Sequence, residues 1–124
     1  MQQDAEQSPA AKFGLAFALA LVSGDFDAAY QMLAPALRDY MQPADLKDEY
    51  SQMTSYWTAP AATTKIVSVD GPDAFGPGKE PHDIAWLFIA IDSLPPDSFL
   101  EAVTVRVIEE LEGLRIGQIV WGRP

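Results

Sequence analysis

The last quarter of the chain alternates. In FLEAVTVRVIEELEGLRIGQIVWGRP, residues 99–124, apolar and polar side chains change places every second position on either side of Glu112-Gly113. That is the period of two strands around a tight turn in which glycine supplies a positive φ. The spacing predicts a β-hairpin with Leu111 facing Leu114, Glu110 facing Arg115, Val107 facing Gln118, Val105 facing Val120 and Thr104 facing Trp121. Opposite charges at 110 and 115 would add a mildly stabilising cross-strand pair. One face then carries Val103, Val105, Val107 and Leu111 with Leu114, Ile116 and Val120, interrupted by Glu109 and Gln118. The other carries Ala102, Thr104, Arg106, Ile108 and Glu110 with Arg115, Ile119, Trp121 and Arg123. The first face needs an apolar cover and the second is only partly dry. A hairpin alone is not stable in water, so further strands and a helical layer must come from upstream.

Upstream, the period changes to that of helices. Ser8-Pro9 reads as a cap followed by a first-turn proline, and Phe13, Ala16, Phe17, Ala20 and Leu21 form a stripe with Leu15, Leu19 and Val22 covering much of the rest. A helix apolar nearly all round is a buried one. Ser23-Gly24 stops it. Asp25 caps a second helix through Phe26, Tyr30 and Leu33, Pro35 breaks that pattern, and Ala36–Met41 reads as a short continuation. Pro43 opens a third helix with Asp45 in its first turn and a stripe of Leu46, Tyr50, Met53 and Trp57, expected to end near Thr58-Ala59-Pro60. Thr63–Val69 alternates as a strand does. Asp70–Pro81, rich in glycine and proline around Phe75, reads as a mobile loop that could serve as a lid or a partner contact. His82–Asp92 holds a nearly unbroken apolar run from Ile84 to Ile91, the mark of a central strand covered on both sides. Ser93–Ser98, with Pro95-Pro96, turns into the hairpin, and no internal repeat or low-complexity tract interrupts this order.

Composition narrows the function classes. The 124 residues, 48% hydrophobic, suit a single domain with one core, with residues 1–7 expected as a polar tail or as the start of a mature chain. A net charge of −10, a pI near 4.2 and scattered lysines and arginines argue against nucleic acid, whose phosphates such a surface repels. No cysteine is present, which removes disulfide and thiolate chemistry and leaves the compartment open, a cytoplasmic chain being favoured over an exported one. No apolar run has transmembrane length, so no membrane is expected as a partner.

Helices followed by a hairpin-rich antiparallel sheet make an α+β arrangement. The lead ALALVSGDFDAAYQMLAP, a later helix ending in Tyr56-Trp57, and strands closing on EAVTVRV and IGQIVWG resemble the NTF2-like superfamily, with its cystatin-like and SnoaL-like branches, over Ser8 to the C-terminus. The resemblance implies a cone-shaped fold: N-terminal helices packed across a curved antiparallel sheet, a cavity at the wide end, and frequent dimerisation through the outer sheet face; a bacterial source is expected. It also spans isomerases, dehydratases, cyclases and plain binding modules, so fold does not stand for function.

Candidate chemistry is sparse. Tyr30, Tyr50, Tyr56 and Asp83 are loose acid-base candidates, yet a tyrosine on a helix stripe is more often core with its hydroxyl tied off. His82 and Asp83 are neighbours on a strand, so their side chains diverge and a dyad is disfavoured. Glu109, Glu110 and Glu112 read as a solvated acidic tip rather than a metal site, and Gly76-Pro77-Gly78-Lys79 lacks the spacing of a phosphate loop. No catalytic residue, metal or cofactor is therefore assigned. The expectation is a non-enzymatic domain that takes a small apolar ligand in its cone, lined by Tyr30, Tyr56, Trp57, Trp86 and Gln118, or a protein partner on its sheet face. The competing class is an isomerase, dehydratase or cyclase with an acid-base group in the cone. A homodimer is expected to use Arg106, Ile108, Ile119 and Trp121, an aromatic and arginine mixture typical of interfaces.

Overall fold

A computed structural model describes residues 8–58, 61–70, 83–93 and 100–122. Four helices precede four strands: α1 (Pro9–Ser23), α2 (Phe26–Gln31), α3 (Pro35–Arg38) and α4 (Pro43–Met53), then β1 (Ala61–Asp70), β2 (Asp83–Ser93), β3 (Leu100–Glu110) and β4 (Gly113–Trp121). The strands form one curved antiparallel sheet in the order β1-β2-β3-β4, so the domain is α+β. The expected tail, His82 and the Phe75 loop lie outside the described residues.

Local chemistry accounts for the helix ends. The Ser8 hydroxyl accepts from the Ala11 N–H at 3.1 Å, and Gly24 closes α1 with φ 80°. Asp25 caps α2 through the Ala28 N–H, and the Asp45 carboxylate accepts from the Gln42 N–H at 2.7 Å to start α4. That helix stops at Met53, four residues before Trp57. Thr54 turns its hydroxyl onto the Tyr50 carbonyl at 3.0 Å, the local bond by which threonine competes with a continuing helix.

Helix α1 is less uniformly buried than its composition predicts. Its covered face is Ala10, Ala11, Gly14, Phe17, Ala18 and Leu21, whereas Ala16 and Leu19 face solvent. Small residues let it lie close on the sheet. A Cβ at Gly14 would overlap Leu87 Cδ1 and touch Val105 Cγ2 at 3.5 Å. The core forms between this face and Leu87, Ile89, Ile91, Val103, Val105, Val107 and Ile116, with Leu33 and Leu46 closing it from the other helices.

The valine row 103, 105 and 107 is fully buried, as its alternation predicts. The hairpin register differs from the one expected. The turn is Leu111-Glu112, so Glu110 pairs with Gly113, Ile108 with Arg115 and Val107 with Ile116. Near the turn this is a two-residue shift, which keeps each side chain on its expected face. Leu111 itself is fully exposed at the apex. Past Ile116 one extra residue, Gly117, is inserted, and the pairs become Arg106 with Gln118, Val105 with Ile119, Thr104 with Val120 and Val103 with Trp121. A one-residue bulge reverses every following side chain. Ile119 and Trp121 thereby pack against the core, and Gln118 and Val120 turn outward.

The free edge of β4 is closed where the bulge begins. The Ile116 N–H donates to the Met32 carbonyl and the Ala34 N–H donates to the Ile116 carbonyl, both at 2.8 Å, making a parallel bridge at Leu33. At the opposite edge, β1 carries two register shifts and an exposed Lys65, features that discourage strand addition.

Candidate interaction surface

The residues expected to line a cone do not converge. The Tyr30 hydroxyl donates to the Arg38 carbonyl at 3.1 Å, tying α2 to α3. The Tyr56 hydroxyl donates to the Glu101 carboxylate at 2.6 Å, a charge-assisted bond that fastens the end of the helical layer to the start of β3. Trp57 packs edge-on to Tyr56, with ring centroids 6.4 Å apart, and partly against the core. Trp86 and Gln118 are on the opposite side of the sheet, because Trp86 pairs with Arg106 and Arg106 with Gln118. Tyr50 leans on Phe26, and burial raises its hydroxyl pKa above the ordinary value. Asp83 begins β2.

Cross-strand pairing defines what that opposite side carries. Trp86, Phe88 and Ala90 of β2 stand beside Arg106, Thr104 and Ala102 of β3, followed on β4 by Gln118 and Val120 and on β1 by Ser68 and Lys65. Ile108 joins them next to Arg115. Ala102 and Ile108 are 1% and 9% exposed yet stand apart from the core cluster, so this face has its own packing. Trp86, Phe88 and Thr104 remain partly open, while Val120 is exposed.

Arg106 organises the centre of this surface. Its guanidinium carbon lies 6.0 Å from the centre of the Trp86 ring, at the outer reach of a cation–π contact, and Nη2 donates to the Gly117 carbonyl at 3.4 Å. The side chain thus spans from β2 to the bulge on β4. The bulge needs glycine for space, since a Cβ at 117 would come within 2.9 Å of Ile108 Cγ2 and 3.4 Å of Arg106 Nη2. Arg115 bends the other way, donating to the Leu114 carbonyl and pairing with Glu112 at 3.3 Å rather than with Glu110.

Of the four residues expected at a dimer interface, Arg106 and Ile108 are on this face and Ile119 and Trp121 are not. Phe88, paired with Thr104, stands on this face beside Trp86. Two signals in the sequence mark the difference: an isolated glycine inside a strand pattern, which suggests a bulge, and an apolar run in β2 that predicts cover on both sides.

Among the described residues no three His, Cys, Asp or Glu side chains converge as a metal site requires, and no helix is long and apolar enough to cross a membrane. No protein-family model, curated protein or solved structure matches this chain.

Proposed function

We propose that the chain is a non-enzymatic binding domain of NTF2-like architecture, and that its working surface is the outer face of the sheet, where a second copy of the same chain packs. The order of helices before a curved antiparallel meander supports the architecture. One observation carries the surface. Strand β2 is apolar on both sides, and among the described residues the helices pack on the side of Leu87, Ile89 and Ile91, while Trp86 and Phe88 on the other side are partly open. Tryptophan and arginine at the centre, with Thr104 and Gln118 beside them, match the residue types that dominate interface energetics.

The dimensions suit a stable pair. Four strands of about ten residues cover about 19 by 33 Å at the usual strand spacing and rise, or about 630 Å² per copy. Two such faces bury about 1,250 Å², above the roughly 1,000 Å² expected of a specific interface. A twofold axis makes one face complementary to itself. The small-ligand reading and the isomerase, dehydratase or cyclase reading both call for polar groups inside the cone; of those expected there, Gln118 faces outward and the Tyr30 and Tyr56 hydroxyls are bonded to the Arg38 carbonyl and the Glu101 carboxylate.

Sedimentation equilibrium across the micromolar range tests the proposal on the parent, Trp86→Ala and Arg106→Glu, with Lys47→Glu on α4 as a control for charge. The parent and the control should dimerise. Trp86→Ala removes the side chain from both copies of a twofold interface and should weaken association about 1,000-fold, the effect of losing a hot spot worth about 2 kcal/mol on each side. A monomeric parent, or sheet-face variants that associate as well as the control, would overturn it.

A further inference from the structure

We draw no further inference here: the strongest candidate, the tip of the β3–β4 hairpin where the fully exposed Leu111 stands between Glu110 and Glu112 beside Glu109, is an acidic cluster with one apolar side chain and nothing in the structure shows what covers it.

Discussion

Gly117 shows how much a single residue decides. It adds one position to β4, and every side chain after it changes face, so Trp121 joins the core and Gln118 leaves it. Gly117→Ala should destabilise the domain by about 1–3 kcal/mol, the usual cost of overpacking, because the new methyl meets Ile108 on one side and Arg106 on the other. Urea midpoints of parent and variant measure this, and an unchanged midpoint would mean that the face relaxes freely around the bulge. Tyr50 provides a second test at this scale. Burial raises its pKa in the folded state, so folding favours the neutral phenol. Its contribution is present in full below the unfolded value near 10 and is lost as pH rises through the higher folded value. Parent stability should therefore fall more steeply above pH 10 than that of Tyr50→Phe, and equal slopes in urea titrations at alkaline pH would remove this role.

Among the elements, those with strong local signals were legible in the sequence: the α1 caps at Ser8 and Gly24, the Asp45 start of α4, and the valine row of β3. What escaped depended on competition between local and tertiary forces. The α1 stripe holds at Phe17 and Leu21, with Phe13 and Ala20 packed against the core, but its sheet contact is set by size as well as hydrophobicity: Gly14 and Ala18 are buried where Ala16 and Leu19 are not. Helix α4 ends at Met53, ahead of the apolar stripe that runs on to Trp57, because the Thr54 hydroxyl intervenes. Strict alternation conceals a bulge in β4, so the register in the structure differs from the alternating one and the candidate surface shifts with it. Helix α1 carries its own prediction. Alanine is a better helix former than glycine by about 1 kcal/mol, so propensity alone would make Gly14→Ala stabilising. The overlap with Leu87 outweighs this gain, and the variant should lose about 1–3 kcal/mol in chemical unfolding. A more stable variant would show that α1 lifts from the sheet without loss.

For the whole molecule, charge and shape act in opposite directions. Each copy carries −10 at pH 7, so two copies repel at long range, and the sheet-face contact proposed above has to form against that repulsion. Salt shortens the range of that repulsion. Association should therefore strengthen from low to physiological ionic strength, whereas a dimer held mainly by ion pairs would weaken. The most direct measurement locates the interface itself, and the absence of native cysteine makes it clean. Val120→Cys places one thiol on the exposed outer face, and Lys47→Cys places one on exposed α4. Reaction with a soluble thiol reagent is followed as protein concentration rises through the micromolar range. The thiol at 120 should slow in step with dimer formation while the thiol at 47 keeps its rate; a thiol at 120 that reacts equally fast in monomer and dimer would contradict the assignment of the sheet face as the interface.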